Sequence, residues 1–305
     1  MSRHDHAFDV PVLGRMSPIK AAAKLRELGE EEAASALHLA AGDATRLRGF
    51  QWPFQNKPWQ YTSHAFGYLA PNSTGNAPLP IKHAGNIEAD ASLKGARIRI
   101  TLNRMRVAAY PGKGIHQILF DFYGQNQVPK NVEHLHFNAT YRAQEGQEVG
   151  VIGYPIFVGL HVGAQGVAFE CSTINVKNED DEAFVRFLDS DVFKAGLRLV
   201  TTAQPAIGPF SAMALGLTKA IATRSRNVPV QRFIMGLDFS RTALSARLAE
   251  GDYIAVQIPD KKQSTWDWSE WTYNPVSGQI VNRADLKQLI PYNYIAFGVN
   301  RFEGD

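Results

Sequence analysis

The sequence predicts a mainly β fold: an antiparallel β-sandwich with a helical insertion around residues 182–225 and an N-terminal α-hairpin. From about residue 96 onward, apolar side chains alternate with polar ones, as they do along half-buried strands. Turn-forming pairs such as Pro111-Gly112 and Ser277-Gly278 separate these runs. The regular strand–helix alternation that builds parallel sheets is not found, which favours antiparallel sheets packed face to face.

Two short helices are predicted near the N-terminus. Ser17-Pro18 is typical of a helix start, because serine caps free backbone N–H groups and proline fits the first helical position. Residues 19–28 favour helix, and Gly29 ends it. The acidic run 30–32 suits the positive end of a second helix that extends to about residue 41. We interpret residues 1–50 as a cap on the main domain, with a docking or regulatory arm as the alternative.

Residues 51–95 are predicted to be an aromatic-rich loop segment that packs on the main domain. Prolines, glycines and asparagines interrupt regular structure throughout this segment. A plain linker would not need the large apolar side chains that it carries, namely Trp52, Phe54, Trp59, Tyr61, Phe66 and Tyr68. Residues 96–305 then form the sandwich domain.

The first strand of this domain has an expected irregularity. Ile98 and Ile100 alternate with arginines and predict one buried face. Arg104 and Arg106 would continue on that same face, where charged side chains are rarely found. We therefore predict a β-bulge or a bend near Asn103, since one extra residue would return the arginines to the opposite face.

Further strands and an apolar helical stripe complete the predicted core. Strands are expected at residues 118–122, 135–141, 233–239, 253–258 and 292–302. In the helical insertion, apolar residues recur at helical spacing at Phe184, Phe187 and Leu188, and again at Phe210, Met213, Ala214, Leu217 and Ile221. The predicted core consists of Ile98, Ile100, Phe120, Phe122, Leu135, Phe137, Phe184, Phe187, Leu217, Ile221, Phe233, Phe239, Ile254, Val256, Ile295 and Phe297.

The composition excludes several classes of protein. With 305 residues, 45% of them apolar, the chain can build a large core and differs from a disordered protein. Its net charge of +3 divides into +5 over residues 1–110, −5 over 111–182 and +3 over 183–305, unlike the one-sided charge of nucleic-acid binders. The single cysteine, Cys171, excludes an internal disulfide. No secretion signal is evident, so we expect a cytoplasmic location.

No catalytic motif is evident, so we predict a non-enzymatic protein without a cofactor. The sequence lacks a Gly-x-Ser-x-Gly nucleophile turn and a glycine-rich phosphate loop. His134 and His136 resemble the His-x-His motif of the cupin family, which would imply a metal site. The carboxylate expected four or five residues later is replaced by Thr140 and Tyr141. We therefore predict an exposed histidine pair and keep both residues as weak metal candidates.

The acidic run 178–182 invites comparison with calcium loops. It lacks the alternating ligands and central glycine of an EF-hand. A sandwich with calcium ligands on its end loops would resemble a C2 domain, but the scattered aspartates of such loops are not found. We interpret these carboxylates as stabilising the N-terminus of the helix near Phe184. A C2-like fold stays open, without a calcium site.

Three tryptophans, Trp266, Trp268 and Trp271, crowd one segment. Tryptophans suit a platform that stacks on a sugar or lies at a lipid headgroup boundary. They also close the ends of sandwich cores, which is the favoured interpretation. Four arginines would add attraction to anionic headgroups, with a solvated strand face as the commoner explanation: Arg97, Arg99, Arg104 and Arg106.

Two tracts without formal charge, residues 149–169 and 199–218, support a membrane hypothesis. Their lengths compare with the ~20 apolar residues of a spanning helix or the ~9–11 of a spanning strand. Pro155 and several glycines weaken the first tract as a membrane span. Pro205, Pro209, Gln204 and several hydroxyl groups weaken the second. The simpler interpretation is that both are core, as a buried hairpin and a helix pair.

Three functions follow from these patterns. The leading one is a membrane-acting protein, pore-forming or lipid-binding, that stores the charge-free tracts and becomes membrane-associated when activated. The second is a protein–protein interaction or self-assembly module, with a protein partner or a homo-oligomer. The third is carbohydrate binding through the tryptophans. No nucleic-acid partner is expected.

Overall fold

The computed structural model describes residues 10–41, 57–71, 75–128, 132–178, 181, 197–198, 207–240 and 245–304. This part of the chain is mainly β with antiparallel sheets, as predicted. Several predictions lie outside the described residues. They are the helix around Phe184, Phe187 and Leu188, the aromatic residues Trp52 and Phe54, and the first part of the 199–218 tract.

The helices and strands lie close to their predicted positions. The described helices are α1 (Pro18–Glu27), α2 (Glu31–Ala41) and α3 (Ile207–Thr223). The described strands are β1 (Ser63–Leu69), β2 (Leu79–Pro80), β3 (Lys82–His83), β4 (Arg97–Val107), β5 (His116–Asn126), β6 (Glu133–Ala143), β7 (Gln147–Glu148), β8 (Tyr154–His161), β9 (Gly166–Val176), β10 (Leu197–Arg198), β11 (Val228–Asp238), β12 (Ala246–Arg247), β13 (Gly251–Ile258), β14 (Trp271–Asn274), β15 (Gln279–Asn282) and β16 (Tyr294–Arg301).

These strands form three sheets. Sheet I has the order β10-β8-β4-β16-β13-β1-β3, with β7 also pairing with β4. Sheet II has the order β12-β11-β9-β5-β6, and sheet III the order β15-β14-β2. The pairs β8–β10 and β11–β12 are parallel, and the other described pairs are antiparallel. Strands β8 and β9 lie in different sheets, so the 149–169 tract does not form the expected hairpin.

A large apolar core joins sheets I and II. The ring centre of Phe122 on β5 lies 5.9 Å from that of Phe157 on β8 and 5.8 Å from that of Phe297 on β16. Phe239 is only partly buried against this core. The other predicted core residues that the structure describes are buried, namely Ile98, Ile100, Phe120, Phe122, Leu135, Phe137, Leu217, Ile221, Phe233, Ile254, Val256, Ile295 and Phe297.

Sheet III covers part of the opposite face of sheet I. Ile254 and Val256 on β13 belong to a second buried cluster, together with Trp268 and Trp271. Gly67 on β1 leaves the space that the Trp268 ring fills, because a Cβ atom there would lie 2.8 Å from that ring. Sheet I is therefore apolar on both faces wherever sheet III covers it.

Helix α3 covers the outer face of sheet II. Its Leu217, Ile221 and Ala222 pack on Leu119 and Ile174 of the sheet. The predicted stripe is partly wrong, because Met213 is 43% exposed while the polar Thr218 is fully buried. The cause is a hydrogen bond from the Thr218 hydroxyl to Asp121 Oδ1, 3.0 Å long, which turns the polar side of the helix toward the sheet. In the described part of the chain, no helix has the length and apolar character to cross a membrane.

The N-terminal helices share the core of the sheets. Ala21, Leu25 and Leu37 are fully buried in the same cluster that joins sheets I and II. Glu27 Oε2 accepts a hydrogen bond of 2.7 Å from the backbone N–H of Arg226, which fixes the end of α1. These contacts support a cap rather than a free arm, while the division of the chain at residues 50 and 95 stays a prediction.

The segment 51–95 is not a loop throughout, which corrects the prediction. Residues 63–69 form β1, which pairs with β13 over its whole length. His64, Phe66 and Tyr68 alternate along β1 with small residues, so the segment has a strand period between its prolines and glycines. The frequent breakers around β1 obscured this short alternation.

Two histidines in the fold have strongly lowered pKa values. Burial and the positive charge of Arg15 lower the pKa of His64 to about 3. Burial and Lys177 lower the pKa of His116 to about 4. Both groups stay neutral in the folded protein at pH values where the unfolded chain, with a usual pKa near 6.5, is protonated.

Stability should therefore fall on acidification. Because the unfolded chain binds protons that the folded chain does not, the free energy of unfolding decreases below pH 6.5, by up to about 1.5 kcal/mol per histidine at pH 5.0. Urea unfolding of the wild type and of His64→Phe should show a weaker pH dependence for the variant, since phenylalanine suits the contacts of His64 with Phe66 and Phe233. Equal slopes for the two proteins would contradict this assignment.

Candidate functional site

The predicted tryptophan platform is part of the protein interior. Trp268 is 4% exposed and Trp271 is 6% exposed. The half-buried Trp266 stacks on Trp271, with ring centres 5.8 Å apart and planes nearly parallel. Residues 268–270 form a 3-10 turn, so Trp266 and Trp268 do not share a strand face. The tryptophans therefore pack in the interior, which is the interpretation that the sequence analysis favoured.

The predicted exposed histidine pair needs correction. His136 is 5% exposed and lies beneath α3, where its backbone N–H donates a 2.7 Å hydrogen bond to Ser211 Oγ. Its Nδ1 atom is 3.7 Å from Asp121 Oδ1. His134 is exposed and contacts the Tyr123 hydroxyl at 2.5 Å. No group of three or more metal-ligating side chains occurs among the described residues.

The predicted bulge is confirmed and determines where the arginines lie. Arg104 is opposite Ala296 and Leu102 is opposite Phe297, which leaves Asn103 without a partner across the strand pair. The extra residue turns Arg104 away from the core, to the face that carries Thr101. Without the bulge, an arginine would enter the apolar layer between sheets I and II.

The four predicted arginines have different roles. Arg106 is buried, and its guanidinium donates to the carbonyls of Ile290 at 3.0 Å and Gly146 at 2.8 Å, which is a structural role. Arg97 and Arg99 both approach the Phe302 ring, at 5.5 and 5.7 Å from its centre. Two of the four, Arg99 and Arg104, line an open groove on sheet I. None of the three predicted tryptophans lines this groove.

This groove, which we call the sheet I groove, lies where sheet III leaves sheet I uncovered. Its volume is about 460 Å³, within the range of small-molecule sites. One row of its floor crosses three strands, with Thr101 opposite Gly298 and Gly298 opposite Asp252. The neighbouring row consists of Arg104, Ala296 and Ile254. Neighbouring strands are ~4.8 Å apart, so each row is about 10 Å wide.

A chain of hydrogen bonds lies on this floor. The Thr101 hydroxyl donates to Asn103 Oδ1 at 2.8 Å, and the Asn103 amide donates to Asp252 Oδ1. Gly298 makes room for this chain, because a Cβ atom there would lie 2.7 Å from both Thr101 Oγ1 and Asn103 Nδ2. Burial raises the pKa of Asp252, against the opposing effect of the Asn103 hydrogen bond.

One wall of the groove comes from sheet III. Tyr273 and Ile280 face the floor from β14 and β15. The Arg104 guanidinium lies 5.9 Å from the centre of the Tyr273 ring and forms a 3.0 Å ion pair with Glu148. The Tyr294 hydroxyl donates to the other Glu148 oxygen at 2.6 Å. Arg104 is thus held in place by partners of its own.

Two further arginines stand at the opposite end. Arg99 is exposed and lies opposite Asn300 on β16. Among the described residues, no carboxylate is paired with Arg99. Arg301 donates one guanidinium hydrogen bond to Ser92 Oγ at 2.6 Å and keeps other N–H groups available. This end of the groove is therefore positively charged.

Sequence reasoning found part of this site. It named Arg99 and Arg104, and it placed a bulge at Asn103. It missed Asp252, Gly298 and Arg301, because only the pairing of β4, β16 and β13 brings them together. No local motif in the sequence marks these three positions.

No family model, curated protein or solved structure matches this chain. The chemistry of the groove therefore follows from its own side chains.

Proposed function

We propose that this chain is a non-enzymatic binding protein that holds an anionic ligand in the sheet I groove. The observation that carries the proposal is the charge of the groove: Arg99, Arg104 and Arg301 line it, and Asp252 is the one carboxylate among its described lining residues. Guanidinium groups form strong paired hydrogen bonds with carboxylates and phosphates. Arg99 has the free guanidinium that such a ligand requires.

The shape of the groove supports binding of a small molecule. The floor has a small residue at Ala296, so a ligand can approach the strand closely there. Apolar side chains such as Ile254 and Ile280 lie beside the polar ones. Ligand sites usually combine an apolar lining with a few placed polar groups.

The proposed architecture is a β-sandwich of sheets I and II, which gives the groove a rigid floor. The contacts of Phe122 with rings of sheet I support this description. The floor of such a groove is rigid because the opposite face of its strands packs in the core. The proposal does not extend to a C2-like arrangement.

Membrane action receives less support from this geometry. The tract 149–169 supplies β8 to sheet I and the start of β9 to sheet II. Its release would break pairs in both sheets and expose the core, which is a large energetic cost. Pore formation, lipid binding and self-assembly stay predictions, as does a protein partner.

The proposed function can be tested with two matched probes, cyclohexanecarboxylate and its neutral amide. Isothermal titration should show that the carboxylate binds about tenfold more tightly than the amide, a difference of ~1.4 kcal/mol. The double variant Arg99→Ala/Arg301→Ala should lose this preference, because it removes two guanidinium groups.

The control is Arg142→Ala on β6, an exposed arginine in the other sheet whose replacement removes one positive charge away from the groove. It should keep the preference for the carboxylate. Equal binding of the carboxylate and the amide to the wild type, or an equal effect of Arg142→Ala, would exclude the groove as an anion site.

A further inference from the structure

We infer that the ligand of the sheet I groove is an acidic saccharide, a sugar ring that carries a carboxylate. This inference rests on the proposed function and adds a ligand class to it. It combines three features of the groove: hydroxyl-binding groups on the floor, an aromatic and apolar wall, and guanidinium groups at one end.

The first feature is the hydrogen-bond chain of Thr101, Asn103 and Asp252. Among the described residues, a hydrogen bond reaches only Oδ1 of Asp252, so Oδ2 keeps its acceptor capacity for a ligand in the groove that Asp252 lines. Asn103 has a second amide hydrogen beside it. An acceptor next to a donor matches sugar hydroxyls, each of which both donates and accepts a hydrogen bond.

The second feature is the apolar surface around this polar chain. The Tyr273 ring forms part of the wall, and Ile280 lies on the neighbouring strand β15. Aromatic rings provide a large apolar contact surface, which suits the C–H face of a sugar ring. The contact with Arg104 and the pairing of β14 with β15 hold the Tyr273 ring at the wall of the groove.

The third feature is the spacing of the positive end from the hydroxyl-binding chain. Arg99 precedes Thr101 by two residues on β4, and Asn300 follows Gly298 by two residues on β16. Two residues of a strand span roughly 7 Å. A six-membered sugar ring with a carboxylate substituent bridges that length, so it can reach the guanidinium groups and the floor together.

A simple anion would use only part of this arrangement. A phosphate or a plain carboxylate would engage Arg99 and Arg301 and leave the open oxygen of Asp252 without a partner. That oxygen would repel a second negative charge. The position of one carboxylate acceptor close to the arginines therefore favours a ligand with one charged end and one hydroxylated end.

Three ligands of similar size test the inference: methyl β-D-glucuronide, methyl β-D-glucoside and cyclohexanecarboxylate. In titration calorimetry, the glucuronide should bind about tenfold more tightly than each of the other two. Asp252→Asn should weaken binding of the glucuronide several-fold more than binding of cyclohexanecarboxylate. Thr101→Val removes the hydroxyl that begins the hydrogen-bond chain, and it should act in the same direction if Asp252→Asn does not fold.

The outcomes separate this inference from the proposed function. If the glucuronide and cyclohexanecarboxylate bind equally, the groove remains an anion site and the saccharide inference is overturned. If the glucoside binds as well as the glucuronide, the role of the arginines is overturned. If cyclohexanecarboxylate shows no preference over its amide, the proposed function itself fails. Arg142→Ala should leave all three affinities within about twofold, since it is remote from the groove.

Discussion

Replacing Phe122 by alanine is expected to lower the free energy of unfolding by about 3–5 kcal/mol. The Phe122 side chain is fully buried between sheets I and II. Its ring lies 5.3 Å from that of Phe169 in its own sheet and within 6 Å of two rings of sheet I. Deleting it leaves a cavity that the strands on either side cannot close without losing their pairing.

The measurement is urea unfolding of Phe122→Ala beside Val276→Ala. Val276 is 73% exposed in the turn between β14 and β15, so its variant should change the unfolding free energy by less than about 0.5 kcal/mol. A loss below about 1 kcal/mol for Phe122→Ala would mean that the two sheets do not pack around this ring. The proposed sandwich would then be wrong.

Replacing Trp268 by alanine is expected to lower the free energy of unfolding by about 3–5 kcal/mol as well. Trp268 belongs to the buried cluster between sheets I and III, and its ring occupies the space above Gly67. Trp266→Ala is the matched control, because Trp266 is only half-buried in the same cluster and should have a clearly smaller effect.

This pair of variants also bears on the membrane hypothesis. A tryptophan that contacts lipid should be replaceable in the folded protein, whereas a core tryptophan should not. If Trp268→Ala is as stable as the wild type and loses a lipid-induced blue shift of fluorescence, membrane contact is the better explanation. A large loss of stability in Trp268→Ala, together with no lipid-induced fluorescence shift in the wild type, supports the core assignment.

The features that follow a local period could be predicted from the sequence. The alternation around Ile98 and Ile100 gave the buried face of β4, and the misplaced Arg104 and Arg106 indicated the bulge at Asn103. Capping residues and acidic charge placed α1 and α2 within one or two residues. In each case, the information lies within a few neighbouring positions.

The features that depend on contacts between distant residues could not be predicted from the sequence. The burial of His136 comes from α3 lying over it, which periodicity along β6 does not indicate. Likewise, Asp252 reaches Asn103 through a hydrogen bond between residues 149 positions apart in the chain. The sequence therefore predicted two of the three arginines of the candidate site, Arg99 and Arg104, and the bulge beside them. It did not predict Arg301, Asp252 or Gly298.

Strand β16 has consequences for both the interior and the groove. Phe297 points into the interior, and Gly298, the next residue, makes room for the hydrogen-bond chain on the floor of the groove. A ligand that binds only the folded state would therefore stabilise the same strands that form the core. When the ligand saturates the groove, amide hydrogen exchange along β4, β16 and β13 should slow. Ligand binding would then protect amides in the centre of the molecule and not only those at its surface.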